Sequence, residues 1–289
     1  MTPKERFAVM PNAVTVRVGL YNPSRTGPDV GYHADPDGEA PMREQLALLA
    51  SLELDLVGIV QVPCAPDDLD CGPRVADRLE MAWHAVIPSP FYDHGIAVLA
   101  RTGGNLEVVA EHHQTGKPWA HCLAAIDVRV KGRRLPLRFL VGHAATSPTA
   151  RLTEAEHLAT HLESTADTPD IVYAADFRAA ALGESPDTSR ASADHAAAIT
   201  DTRPAAVLHR AGLLDVGEAT SDHAPTIGHD PADPVAYRRH RIHSTLPASA
   251  VTGHGIVDED RPLSRHRPVW AQFTLDVDDD PGDPRASRL

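Results

Sequence analysis

Lysine is nearly missing from this 289-residue chain: Lys4, Lys117 and Lys131 are the only ones, so almost every positive charge is an arginine. With abundant Ala, Pro and Asp, that bias reads as GC-rich bacterial coding. Aromatic side chains make up only 4%, and 25 prolines argue against a helical bundle. No long apolar run exists. The most apolar stretch, "LALLASLELDLVGIVQV", is broken by Glu53 and Asp55, which excludes a membrane helix, and "MTPKERFAVMPNAV" at the start lacks the apolar segment of a secretory leader. Cysteine is scarce too. Cys64, Cys71 and Cys122 are odd in number and form no C-x-x-C pair, so neither a disulfide framework nor a zinc ribbon is implied, and reduced thiols in the cytoplasm are the reading. Positive charge is in deficit, with a net charge of -13, so no basic face is expected for nucleic acid. A local basic pocket is still allowed.

What is present is a chain long enough to bury a core without disulfides or metal, with strands and helices mixed along its length. Alternating apolar residues mark strands at "VTVRVGL" near the start and "VWAQFTL" near the end, and short apolar runs mark others at "GIAVLA", "EVVA", "HCLAAIDVRV", "LPLRFLVG" and "DIVYAA". Helical spacing occurs at Met42, Leu46, Leu49 and Ala50, and again from Leu152 to Leu162 behind Ser147 and Pro148, a cap residue and a first-turn proline. A further helix covers "PAAVLHRA" and stops at Gly212. "GYHADPDGEAP", "CAPDDLDCGP" and "DHAPTIGHDPADP" read as long loops. The expected organisation is a flexible segment 1–13, one domain 14–275 and an acidic disordered tail 276–289.

In their order and spacing these segments resemble the endonuclease/exonuclease/phosphatase superfamily, the DNase I-like fold. "VGLYNPS" resembles the first strand ending in the family's asparagine, here Asn22, and "LDLVGIVQVP" the strand usually read Asp-Ile-Val-Gly-Leu-Gln-Glu-Val. "YDHGIAVLAR" is similar to Gly-Ile-Ala-Ile-Leu-Ser-Arg, and "RFLVGHAATSPTARLTEAEHL" to the strand that ends in a histidine before a helix opening with arginine, giving His143 and Arg151. "DIVYAADFRA" resembles the Gly-Asp-Phe-Asn strand, "RRHRIHSTL" the Arg-Ile-Asp segment, and "PLSRHRPVWAQF" the closing Ser-Asp-His-Arg-Pro-Val. The resemblance implies a four-layered α-β-β-α sandwich, two mostly antiparallel sheets flanked by helices, with a site at one rim. It also implies chemistry in which carboxylates hold Mg2+, the metal polarises a phosphate, and a histidine held by an aspartate contacts it.

At the matching positions this chain departs from the family, and always towards positive charge. Ungapped from Asp55, the family's glutamate falls on Gln61, the asparagine after Asp176 becomes Arg178, the Arg-Ile-Asp aspartate becomes His243, and the Ser-Asp-His aspartate becomes Arg265. Asn22, His143, Asp176 and His266 are kept. Glu to Gln, Asp to His and Asn to Arg each add one charge and Asp to Arg adds two, about +5 in all. A divalent cation about 5 Å from one guanidinium is repelled by roughly 6 to 7 kcal/mol at an effective dielectric near 20. The site is therefore expected to hold no metal and no cofactor.

The expected function is metal-independent acid/base chemistry, by hydrolysis, elimination or cyclisation, on a small anionic or polar molecule. His266, His143, Asp176 and His243 are the candidate catalytic residues, with His243 beside His266 as a histidine pair. Asn22, Gln61, Arg178 and Arg265 are the candidate ligand-binding residues. Two alternatives stand beside it. One is a noncatalytic binding protein on the same scaffold; the other is a metal-dependent phosphodiesterase or nuclease with ligands from loop residues such as Asp222, Asp230 or Asp233. Against any working site, Arg178 and Arg265 could simply pair with Asp176 and stabilise a dead one. The triplet Ser221-Asp222-His223 imitates the closing motif but precedes no strand, and His229, Asp230 and His240 match no defined ligand pattern.

Overall fold

The computed structural model describes residues 13–24, 39–62, 68, 70–162, 168–230, 233–258 and 263–277. The expected flexible start and acidic tail fall almost wholly outside them. In chain order the elements are β1 (Ala13–Tyr21), α1 (Glu39–Ala50), β2 (Leu56–Val62), α2 (Cys71–Arg78), β3 (Trp83–Ile87), β4 (Gly95–Ala100), β5 (Leu106–Glu111), β6 (Gln114–Thr115), β7 (Cys122–Val130) and β8 (Leu137–His143). Then follow α3 (Pro148–His161), β9 (Asp170–Asp176), α4 (Ala193–Thr200), α5 (Arg203–Arg210), β10 (Leu214–Asp215), α6 (Val216–Thr220), β11 (His240–Ser244), β12 (Val251–Ile256) and β13 (Val269–Asp276).

Two sheets result, one of six strands ordered β12-β13-β1-β2-β4-β3 and one of seven ordered β10-β11-β9-β8-β7-β5 with β6 on β7. Alternation along each strand decides which residues meet between the sheets. Val16, Val18 and Leu20 of β1 pack there with Ile126 and Val128 of β7, Phe139 and Val141 of β8, and Phe273 of β13, all with essentially no exposure. Each such side chain contributes roughly 1.5 to 3 kcal/mol by leaving water. The opposite faces are covered by helices: α1 and α2 lie over Val57, Ile59 and Leu99, while α3 and α5 lie over Leu123, Leu140 and Tyr173. The layers are thus α-β-β-α, as expected.

The helix at 148–161 begins at Ser147 with Pro148 in its first turn, and Gly212 follows the helix 203–210 with φ 88°, a left-handed conformation that glycine adopts without strain. Two expectations are corrected. "CAPDDLDCGP" is not all loop, because α2 starts at Cys71; its proline sits in the first turn, where a missing N–H costs nothing. The thiols are not all reduced either: Cys71 is disulfide-bonded, whereas Cys122 is free, buried and pushed up to about 12 by burial. An odd count forbids pairing all the cysteines, not pairing two. Among the described residues no helix is long and apolar enough to cross a membrane.

Candidate active site

β1 runs parallel to β2, and β8 parallel to β9. Parallel neighbours end on the same edge, so these strands deliver Asn22, Gln61, His143 and Asp176 to one rim. Asn22 Nδ2 donates to Gln61 Oε1 within its own sheet at 2.8 Å and, across to the other sheet, to Asp176 Oδ2 at 3.2 Å. β11 runs antiparallel to β9 and sets His240 directly opposite Asp176. The segment before β13 adds Arg265 and His266, anchored by the Ser264 hydroxyl, which donates to the carbonyls of Asn22 and Ser24 at 2.8 and 2.9 Å. Two rim residues carry unusual backbone. Gln61 at φ 55° sits in a β-bulge between Val60 and Val62, and Arg178 has φ 52°. Left-handed backbone at non-glycine residues costs of order 1 kcal/mol and collects at functional sites.

Asp176 is fully buried. Its Oδ1 accepts from Arg239 Nε at 2.7 Å and from the Arg178 backbone N–H at 3.1 Å, and its Oδ2 lies 3.4 Å from His240 Nε2 and 3.5 Å from His143 Nε2. Burial alone would push this carboxyl up, but the facing charge, with Arg239 first, holds it well below the usual carboxylate range. Arg239 also shares a hydrogen bond with Tyr237, and its own affinity for the proton is raised. The Arg178 guanidinium is aimed elsewhere: Nε and Nη2 donate to His143 Nε2 at 3.1 and 2.8 Å, which leaves the imidazole proton on Nδ1. Burial drives His143 and His266 well below an ordinary histidine and lowers His240 too, so all three are neutral at pH 7. Behind His143 stands a column of rings, with His121 stacked on it at 3.9 Å and Tyr92 on His121 at 4.2 Å.

A cavity of about 320 Å³ opens over these groups. Gln61, Arg178, Arg239, Arg265 and His266 line its polar side, while Ile199, Ile227 and Val235 line it with carbon. Arg265 pairs with Asp233, and Arg151 holds the Arg178 and Ala198 carbonyls. The structure therefore gathers Asn22, Gln61, His143, Asp176, Arg178, Arg265 and His266 at one rim, and it removes His243. That residue faces away: its Nδ1 lies 3.4 Å from the Leu213 carbonyl and its ring 4.9 Å from Phe177 under the outer helices. The residue beside His266 is His240, ring centres 4.8 Å apart and nearly perpendicular. Three positions along a strand reverse the face, and "RRHRIH" contains Arg-x-His twice, so the register was ambiguous in the sequence. Arg239 and Tyr237 were missed altogether. Asp222 binds His254 Nδ1 at 3.0 Å and His229 Nε2 the Ser264 carbonyl at 3.0 Å, away from the cavity lining.

Against known proteins, no family model matches this chain and no curated sequence matches it. Solved structures do. An endonuclease/exonuclease/phosphatase from Beutenbergia cavernae superposes with TM-score 0.65 at 16% identity, over 91% of this chain and 72% of that one. A family protein from Leptotrichia buccalis gives 0.62 at 14% identity, over 89% and 99%, and a humanized D. rerio TDP2 gives 0.60 at 14%, over 90% and 98%. This is the endonuclease/exonuclease/phosphatase fold. At such identities the likeness concerns the fold, and the chemistry has to be read from the residues at the rim.

The superfamily implies Mg2+, and these residues do not fit it. Magnesium requires near-octahedral oxygen ligands, several of them carboxylate or water. Here Gln61 Oε1 is taken by Asn22, Asn22 Oδ1 accepts from the Ser24 N–H, and Asp176 is paired with Arg239. Two groups do bring three donor atoms within 4.8 Å of one another: His94, His121 and His143, and Asp176, His240 and His266. Nitrogen-rich sets of this kind suit late transition ions rather than Mg2+. In the first group, His121 and His143 stack with planes only 16° apart, so their in-plane lone pairs do not converge on one ion. In the second, the Arg239 guanidinium already occupies one oxygen of the carboxylate.

Proposed function

We propose that the rim cavity binds a small oxyanion and acts on it without Mg2+, with His266 as the proton-transferring group. The observation that supports this reading is the concentration of guanidinium groups, Arg178, Arg239 and Arg265, along one side of a cavity that also contains His266. A planar guanidinium matches carboxylate and phosphate geometry and supplies positive charge without the reorganisation an aquated metal needs. Arg239 stands where it offsets Asp176, doing electrostatically part of what a cation would do.

His266 is neutral in the free protein, because burial disfavours its charged form and the Arg239 and Arg178 guanidinium groups oppose a further positive charge beside it. An oxyanion bound against the guanidinium groups offsets that opposition and raises the proton affinity of His266. The imidazole then takes a proton from the attacking water or hydroxyl, or from the carbon that loses one in an elimination, and returns it to the leaving atom. The ring beside His266 is His240 rather than a carboxylate, and the nearby Asp176 carboxylate is already paired with Arg239.

A second reading, a noncatalytic anion-binding protein, has its own support: Asp176 and Asn22 are committed to one another and Arg178 is committed to His143, which leaves few groups free to react. Both readings are separated by assaying hydrolysis of a chromogenic phosphate monoester and a diester, with Mg2+, with Mn2+ and with chelator. Metal-independent turnover lost in His266→Ala supports catalysis; oxyanion binding without turnover supports the binder. Turnover that requires Mg2+ and is lost in Asp176→Ala overturns both.

A further inference from the structure

The cavity has a second wall that the acid/base reading does not use. Ile199 from α4, and Ile227 and Val235 from the segment between α6 and β11, pack with Ala180 and Tyr237 into a small hydrophobic cluster separate from the cores between the sheets and under the helices. Ile199, Ile227 and Val235 all face the cavity. Tyr237 joins the two walls, since its ring belongs to this cluster while its hydroxyl bonds Arg239. Asp233 also lies here, but its carboxylate is committed to Arg265 and to the Gly228 N–H at 3.3 Å.

We propose that the ligand is an amphiphilic oxyanion, a carboxylate or phosphate monoester bearing one compact apolar group, with its head on Arg178 and Arg239 and its apolar group against Ile199, Ile227 and Val235. The proposal rests on the oxyanion reading above and narrows it. Size supports it: an apolar cavity of about 150 Å³ holds a benzene ring, so 320 Å³ accommodates one ring or branched chain together with an oxyanion. The same volume lies at the small end of the range of roughly 300 to 1,000 Å³ for ligand sites. Polarity supports it as well. Sugar hydroxyls set against this wall would lose water without gaining partners, whereas carbon set there leaves water favourably.

Isothermal titration of the whole chain at pH 7 and low salt tests the proposal with inorganic phosphate, glycerol 3-phosphate and phenyl phosphate, and with acetate and phenylacetate. Burial of about 80 Å² of apolar ligand surface makes phenyl phosphate roughly 30-fold tighter than inorganic phosphate. Phenylacetate gains similarly over acetate, and glycerol 3-phosphate gains nothing. Ile227→Asn brings phenyl phosphate down towards inorganic phosphate; the comparison among ligands on the unaltered chain stands even if that variant folds poorly. Equal affinity for phenyl phosphate and glycerol 3-phosphate overturns the amphiphile and leaves the oxyanion reading intact. Absence of binding by every anion at millimolar concentration overturns the oxyanion reading and this inference with it.

Discussion

Replacing Arg239 by glutamine tests whether this guanidinium is the built-in counter-ion of the site. Asp176 is fully buried and Arg239 holds its Oδ1 at 2.7 Å, with a side chain only 15% exposed. Removing one partner of such a pair strands the other charge in the interior, which costs about 3 to 5 kcal/mol. Arg239→Gln and Asp176→Asn should each destabilise by about that amount at pH 7. The double variant, which strands neither charge, should recover about 2 to 3 kcal/mol of the sum as coupling. The sign with pH is also fixed. In the unaltered chain the depressed carboxyl contributes stability that is fully present above the unfolded value of about 3.9 and lost as pH falls through the folded one. In Arg239→Gln burial raises that carboxyl instead, so its penalty grows as pH rises and shrinks in acid. Urea unfolding of the four proteins at pH 7 and pH 5, followed by tryptophan fluorescence and circular dichroism, measures both effects. Free energies that add within about 0.5 kcal/mol, with a penalty independent of pH, would refute the argument.

Other expectations follow from the same interior. His121 and His243 are held neutral by burial, at about 3 and about 4, against about 6.5 in the unfolded chain, so each contributes stability present above pH 6.5 and lost as pH falls. The slope is about 1.4 kcal/mol per pH unit for each, and a urea midpoint unchanged between pH 6.5 and 4.5 would contradict it. Benzoate, whose charge is constant from pH 8 to 6, should bind more tightly as pH falls, with proton uptake visible as buffer-dependent heats; His266→Ala should abolish the pH dependence, and its persistence would remove His266 from the proton-transfer role. Millimolar Mg2+ should leave the melting temperature unchanged, and a rise of more than about 2 °C, the signature of ligand linkage, would show that the rim does hold the ion.

The arginines at the rim are each placed against a nearby group. Arg239 neutralises Asp176, Arg178 caps His143, and Arg265 is balanced by Asp233. Of the replacements counted from the sequence, Arg178 and Arg265 each have a local partner, His243 lies away from the site, and Arg239, which that count did not include, supplies the positive charge beside Asp176. What faces the cavity is a guanidinium-lined wall together with a neutral imidazole, and the proposed oxyanion site rests on these groups.

Local pattern determined a good deal by itself. Alternation in "VTVRVGL" and "VWAQFTL" is a property of neighbouring residues, so first and last strands were legible, and they pair antiparallel over Ala13 to Leu20 and Val269 to Asp276. Ser147-Pro148 and Gly212 likewise act within one turn of chain and marked helix ends correctly. The order of segments was enough for the sandwich and for placing Asn22, Gln61, His143, Asp176, Arg178, Arg265 and His266 near one another. Only tertiary structure decided the partners. Whether Arg178, Arg239 or Arg265 meets Asp176 depends on side-chain direction across two sheets, and the answer, Arg239, came from a residue with no distinguishing local signal. His240 and His243 sit three apart in the same short strand with the same Arg-x-His context, and nothing but the pairing of His240 with Asp176 selects between them. The apolar wall of Ile199, Ile227 and Val235 was illegible for the same reason, because residues scattered through a helix and a proline-rich loop form a surface only when the chain brings them together.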